Sequence, residues 1–272
     1  MKYKFGFIGC GNMGGALASA VASANDASSV AVCDYFPEKV QSLVDKFGVI
    51  ASNTSDLAAE SAFIFLGVKP QGFDELFSQI KGILSKRTDR FVLVTMAAGV
   101  SISAVEKLAG AKYPVIRIMP NTPVSVGSGM VLYTSNDAVT DSDLDTFISA
   151  MSAVGKLDAI PEDKIDAASA LSGCGPAFVY MFAEALADGA VECGLPRDKA
   201  ILYAAQTILG SAQLLIQSGK HPGLLKDEVC SPGGTTIAGV HALESSAFRG
   251  ATSSAVTAAY QKTLNLKKYK DA

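Results

Sequence analysis

Residues 3–14, YKFGFIGCGNMG, decide the fold of the first half of this chain. An apolar run, residues 3–8, meets the turn Gly9-Cys10-Gly11-Asn12-Met13-Gly14, and residues 13–24 then place small and apolar side chains at helical spacing. Strand, glycine-rich turn and helix in that order open a dinucleotide-binding unit. Gly9 permits the tight bend, Gly11 lets the backbone approach a pyrophosphate, and Gly14 lets the helix pack closely on the strand. The helix N-terminus then faces the phosphates. The competing reading is an ordinary glycine-rich turn, and the context counts against it. A second apolar run, residues 30–33, ends at Asp34, about twenty residues after Gly14, where an acid bonds the adenosine ribose.

Outward from that turn, strands and helices keep alternating. Pro37-Glu38 suits the first turn of a helix running to about Phe47. Residues 62–66 (AFIFL) and 91–94 (FVLV) are uninterrupted apolar runs, as expected of parallel strands buried on both faces. Helices are predicted over 71–82 and 101–109, a further strand over 115–118, and a strand-helix-strand unit over 130–134, 141–152 and 155–159 at the sheet edge. From Pro161 the β-rich runs disappear and four or five helices can be written, among them 177–193, 198–217 and 251–266. The expected fold class is therefore α/β, with a Rossmann-type dinucleotide-binding domain over residues 1–160 and an all-α domain over 161–272. In the latter, Val179, Phe182, Ala183, Leu186 and Ala190 recur at three-to-four spacing. Such apolar faces exceed what a few helices of one chain can bury, which predicts dimers or larger assemblies.

Composition narrows the function classes. The chain has 272 residues, 49% hydrophobic and 18% charged, with a formal charge of −3 and a pI near 5.4. That balance counts against broad electrostatic attraction to nucleic acid or an anionic membrane. Residues 1–8 are too short and too soon interrupted by glycine to read as a signal peptide, which points to the cytoplasm. Five cysteines, Cys10, Cys33, Cys174, Cys193 and Cys230, include no CxxC pair, so reduced thiols are expected and neither a disulfide framework nor a zinc site. His221 and His241 form no HExxH pair, and capping or packing accounts for each; no metal is expected. Lys262, Lys267, Lys268 and Lys270 read as a solvated helix end.

Asp34 would accept hydrogen bonds from ribose hydroxyls and repel the 2′-phosphate of NADP, so it leans towards NADH; a turn or capping acid is the alternative. No Arg or Lys stands between Tyr35 and Glu38, although Lys39 is within reach. Two strand ends, Gly67-Val68-Lys69-Pro70 and Met96-Ala97-Ala98-Gly99, should border the cofactor. Lys69 is a positioning cation or a catalytic one. Asn121, within Met119-Pro120-Asn121-Thr122-Pro123, offers a carboxamide near a nicotinamide, or simply stiffens a turn. The helical half holds two glycine-rich turns, residues 171–177 (LSGCGPA) and the stretch 225–237 (LKDEVCSPGGTTI). In the second, Pro232-Gly233-Gly234 exposes amides at a helix start and Thr235 and Thr236 add hydroxyls, a cradle for a small carboxylate or else helix capping.

Read together, FIGCGNMG, VKP, AAG, MPNTP, LSGCGPAF, ADGAVECGLPR, HPGLLKDEVCSPGGTTI and the ALE ending at Glu244 make the chain resemble the pyrroline-5-carboxylate reductases over essentially its whole length. That resemblance implies hydride transfer from NADPH or NADH to the cyclic imine (S)-1-pyrroline-5-carboxylate, giving L-proline. It implies that Thr236, as catalytic hydrogen-bonding group, and Ser231, Gly234 and Thr235 hold the substrate carboxylate and ring nitrogen, with Glu162 beside the substrate. The implied cofactor set is Ile8, Gly9, Cys10, Gly11, Asn12, Met13, Gly14, Asp34, Asn53, Val68, Lys69, Pro70, Ala97, Ala98 and Asn121. The helical half would be the dimerisation domain, in a homodimer that assembles into a decamer. Cys174 stands where the family often has serine, and Asp34 where NADPH-preferring members have a small or polar residue. A 3-hydroxyacid dehydrogenase, another imine reductase and a dinucleotide-sensing regulator stand as alternatives; the lysines after residue 160 form no motif of the dehydrogenase kind.

Overall fold

The computed structural model describes residues 1–266, and Lys267, Lys268 and Lys270 of the terminal lysine group lie outside that range. By contacts the described chain divides into two units, one comprising Met1–Cys174 with residues 259–266, the other Gly175–Ala258.

The first unit is built on one eight-stranded sheet. Its strands are β1 (Tyr3–Ile8), β2 (Val30–Cys33), β3 (Ile50–Ala51), β4 (Ser61–Leu66), β5 (Val92–Thr95), β6 (Val115–Met119), β7 (Gly129–Ser135) and β8 (Gly155–Ala159), in the order β3-β2-β1-β4-β5-β6-β7-β8. Every pair is parallel except β6 with β7. The helices between them are α1 (Asn12–Ala24), α2 (Pro37–Phe47), α3 (Thr54–Glu60), α4 (Phe73–Leu84), α5 (Ile102–Ala109) and α6 (Asp141–Ala150), followed by α7 (Glu162–Ser172). Helices covering both faces leave the central strands no contact with water, which is why β2, β4 and β5 carry unbroken apolar runs. Side chains alternate between two cores: Phe5, Phe7, Phe63 and Phe65 point to one, while Ile8, Ile64, Leu66 and Leu93 point to the other. The chain leaves β1 towards β2 on one side and returns to β4 on the other. That reversal opens a crevice at the carboxyl ends of β1 and β4.

The expected strands and helices of this half are present with ends shifted by a few residues. A 3₁₀ turn at Pro70–Gly72 delays α4 to Phe73, because the lysine before Pro70 is held extended. β3 and α3 were not anticipated from the sequence. A two-residue strand has no period to read, and seven residues hold too few apolar positions to mark a helix face.

The second unit contains α8 (Gly175–Glu192), α9 (Arg197–Ser218), α10 (Pro222–Glu228), α11 (Thr235–Ser245) and most of α12 (Phe248–Leu266). Counted from residue 161, six helices are described, against the four or five expected, because short α10 carries no readable face. Helices α8 and α9 form an antiparallel hairpin. Gly194, with φ +95°, ends α8, while the Leu195 amide donates to the Ala190 carbonyl at 3.0 Å, the closing bond of a Schellman motif. The core of this unit is small: Ala187, Ala200 and Ala204, with Ala190, Val191 and Leu195 against them. Its larger apolar side chains face outward instead, Met181 at 70% and Ile216 at 78% exposure among them.

Candidate functional site

In the first unit the glycine turn is shaped by contacts that tolerate no side chain. Gly9 has φ +100°, and a Cβ there would lie 2.7 Å from the Gly67 backbone. A Cβ on Gly14 would stand 2.1 Å from the Gly9 carbonyl oxygen, and one on Gly67 would stand 2.3 Å from the same atom. The ends of β1 and β4 and the start of α1 are thus packed backbone on backbone, with the Gly67 amide donating to the Ile8 carbonyl at 2.7 Å. Gly11 differs: it is the N-cap of α1, and a Cβ on it would meet nothing within 4 Å. Space kept clear beside an uncapped helix N-terminus suits an incoming phosphate. The turn therefore fits a dinucleotide on the chain's own geometry.

One cleft of about 440 Å³ collects Gly11, Asn12, Met13, Gly14, Val68, Lys69, Pro70, Ala97 and Ala98, together with Lys39, Gly67 and Met96. Nine of the expected cofactor residues therefore share a wall. Lys39, which the sequence left only within reach, belongs to that wall. Ile8 and Cys10 sit beneath it, buried in the core. Asn53 is placed differently, as N-cap of α3: its Oδ1 accepts the Asp56 amide at 2.9 Å and its Nδ2 donates to the Asp56 carboxylate at 2.8 Å.

Asp34 holds the turn. Its Oδ2 accepts the Cys10 amide at 2.6 Å, and its Oδ1 accepts the Phe36 amide at 2.9 Å. Lys39 Nζ lies 3.8 Å from the same Oδ1. A carboxylate has lone pairs left for a ribose hydroxyl after two such bonds. A substitution at position 34 nevertheless removes a strut of the phosphate turn as well as a charge.

Asn121 is 9% exposed and its carboxamide is engaged within the protein, donating to the Ser172 carbonyl at 3.0 Å and accepting the Met130 amide at 2.9 Å. Glu162, at the start of α7, accepts from Arg117 at 3.2 Å and from the Ile102 amide at 2.8 Å. Arg117 also donates to Asp166 one helical turn further along, at 2.5 Å. A guanidinium only 2% exposed needs both carboxylates, since an unpaired buried charge is strongly unfavourable. Neither Arg117 nor Asp166 belongs to a motif of the sequence. An Arg inside an apolar strand was the available signal.

The buried thiols beside the turn are inert. Burial, with the nearby Cys33 and Asp34, pushes the Cys10 thiol up to about 12, and burial likewise raises Cys33. At pH 7 the Cys10 thiolate fraction is then about 10⁻⁵, and the thiolate is the reactive form. Neither cysteine should take up iodoacetamide at pH 8 in the folded protein, and both should do so in denaturant, as read by peptide mass spectrometry.

In the second unit, Ser231-Pro232-Gly233-Gly234 makes a type II turn. Pro232 supplies the fixed φ of the second position, Gly233 takes φ +68° at the third, and the Gly234 amide donates to the Ser231 carbonyl at 3.0 Å. The turn delivers the chain into α11 with Gly234 as N-cap and no side chain capping it. The amides of Thr235, Thr236 and Ile237 therefore face outward, beside the hydroxyls of Thr235 and Thr236, all on exposed residues. His221 caps α10 through Nδ1, which accepts the Gly223 amide at 3.1 Å, and His241 lies on α11, as expected. The other glycine-rich segment is a break at Gly173-Cys174 between α7 and α8. Among the described residues no group of three or more His, Cys, Asp or Glu side chains could hold a metal.

Two family models match the chain. One describes pyrroline-5-carboxylate reductase dimerisation and covers residues 162–266; the other describes an NADP oxidoreductase, coenzyme F420-dependent, and covers 4–99. The pyrroline-5-carboxylate reductase of Escherichia coli (strain K12) is 40% identical, over 98% of this chain and all of that protein. That of Arabidopsis thaliana is 38% identical, over 97% and 96%. Among solved structures, Plasmodium falciparum pyrroline carboxylate reductase with NADP bound has a TM-score of 0.86 at 33% identity, and the Coxiella burnetii pyrroline-5-carboxylate reductase 0.89 at 31%. Each covers 98% of this chain and 100% of its own. Prephenate dehydrogenase from Aquifex aeolicus, at 14% identity and a TM-score of 0.51, shares the fold alone.

Proposed function

The chain belongs to the pyrroline-5-carboxylate reductase family, and from that premise we propose that it reduces (S)-1-pyrroline-5-carboxylate to L-proline, the last step of proline biosynthesis. Identity to such reductases along the whole of both chains is the observation that carries this reading. A reduced nicotinamide dinucleotide supplies the hydride for the imine carbon. The protein's own work is to bind and orient. The open face at Gly11 and the start of α1 hold the pyrophosphate, flanked by Val68-Lys69-Pro70 and Ala97-Ala98. Asp34 meets the adenosine ribose and on its own favours NADH. Asn121 and Asn53 contribute by fixing the loops that carry them.

On the substrate side, the amides and hydroxyls from Ser231 to Thr236 take the carboxylate, as dipoles at a helix N-terminus favour an anion. The Thr236 hydroxyl bonds the ring nitrogen. An imine nitrogen that arrives protonated needs orientation rather than a dedicated acid. Glu162, its Oε1 held by Arg117, is the carboxylate assigned beside the substrate. For this division of labour the functional boundary is placed at 160/161, with α7 serving the helical half.

The dimerisation model over residues 162–266 makes this an oligomer-forming family. By length and mean hydropathy the stretches Glu162–Glu192 and Arg197–Ser218 also reach the range of membrane-crossing helices. We assign their outward apolar faces to a second copy of the chain, with five dimers forming a decamer in the cytoplasm. A mass of ten chains by light scattering, without detergent, is the expected result. A detergent-dependent monomer would exclude the assignment.

The activity is tested by mixing purified protein, pyrroline-5-carboxylate and either NADPH or NADH. Loss of nicotinamide absorbance with stoichiometric proline is expected. Cofactor that stays reduced while proline fails to form would end this reading.

A further inference from the structure

Resting on that reading, we propose that Lys39 is the residue that recognises the 2′-phosphate of NADPH and so admits it beside Asp34. The 2′-phosphate is attached to the ribose that Asp34 is placed to meet, and an isolated carboxylate there would repel it. Asp34 is not isolated. Lys39 Nζ stands 3.8 Å from its Oδ1, beyond ordinary hydrogen-bond length, so the ammonium is near the carboxylate without being committed to it. Its side chain is 41% exposed against 9% for Asp34, and Nζ lies 4.4 Å from the centre of the Phe36 ring, which holds the stem over the β2 end. Lys39 also lines the cleft that contains Gly11 and Gly14, in the first turn of α2. From there a small rotation turns its charge from the carboxylate to an added phosphate, with the positive end of the α2 dipole behind it.

Sheet order separates this cation from the other lysine of the cleft. Lys39 follows β2 and Lys69 follows β4, on opposite sides of β1. A dinucleotide laid across the glycine turn with its adenosine at β2 meets Lys39 at the ribose and Lys69 towards the other end. The two lysines should therefore respond to different parts of the ligand.

The test uses the full-length protein and two probes without a nicotinamide, ADP-ribose and 2′-phospho-ADP-ribose, titrated by calorimetry. Lys39→Met should weaken 2′-phospho-ADP-ribose by about tenfold or more and ADP-ribose by less than about twofold, and Lys39→Arg should restore most of the difference. Lys69→Met should weaken both probes alike. Equal affinity losses for the two probes in Lys39→Met, or no loss in either, would overturn the assignment while leaving the reductase reading in place. Failure of the unmodified protein to bind either probe would remove the nucleotide site and both readings with it.

Discussion

Gly11→Ala should cost the folded protein at most about 1 kcal/mol, the preference of an N-cap for glycine over alanine, and weaken NADPH binding by about tenfold or more, whereas Gly14→Ala should unsettle the fold itself. The two residues sit three apart in one turn and differ in what a methyl group would meet. At Gly11 it would enter open space on the face left for the pyrophosphate, touching no protein atom within 4 Å. No clash adds to the N-cap cost in the free protein, and the further loss falls on the bound state, where a tenfold change corresponds to about 1.4 kcal/mol. At Gly14 the methyl would stand 2.1 Å from the Gly9 carbonyl oxygen. Alanine gains up to about 1 kcal/mol over glycine in a helix interior, but overpacking against backbone that cannot rotate away costs about 1–3 kcal/mol or more. Strain wins there. Gly82→Ala, also in a helix and with nothing within 4 Å of the added carbon, shows the propensity term alone and should stabilise by about 0.5–1 kcal/mol. Urea unfolding gives the stability of each variant and NADPH fluorescence gives the affinity. Equal stability of Gly11→Ala and Gly14→Ala would contradict the packing described for the turn.

Replacing Thr236 with alanine should lower kcat for pyrroline-5-carboxylate by about 10- to 100-fold while the affinity for NADPH stays the same. A hydrogen bond to a charged partner contributes about 1.5–3 kcal/mol, which in a transition state is one to two powers of ten in rate. Thr236 is exposed near the start of α11, and its hydroxyl makes no hydrogen bond among the described residues, so its removal leaves no orphaned partner in the protein. Alanine is also the better helix former, and the melting temperature should hold or rise slightly. Thr236→Ser, which keeps the hydroxyl, should recover most of the rate. A Thr236→Ala enzyme with unaltered kinetics would remove the residue from the mechanism.

Much of the first unit was legible without coordinates. Residues 3–14 announced a strand, a turn and a helix because the apolar run, the glycines and the helical spacing are all local signals. Asp34 and the strand ends at Val68 and Ala97 could be placed because a parallel sheet gathers its ligands at the carboxyl ends of its strands. What escaped was either too short for a period, as with β3 and α3, or paired across the chain. Asp34 reaches the Cys10 amide across 24 residues, Arg117 reaches Glu162 across 45, and Asn121 reaches the Ser172 carbonyl across 51. Residue type gives a polar side chain a repertoire of partners, and only folding chooses among them.

The amino-acid order alone therefore determined the strand-turn-helix opening, the alternation that builds the sheet, the turn at Ser231–Gly234 and the surplus of apolar helix faces, all properties of neighbouring residues. Tertiary structure decided which glycines are packed and which is left open, that Asp34, read as a ribose acid or a turn acid, braces the phosphate turn through the Cys10 amide, and that Lys39 shares its cleft. Those outcomes depend on distances between segments far apart in the chain, set by how the strands stack and not by any local pattern.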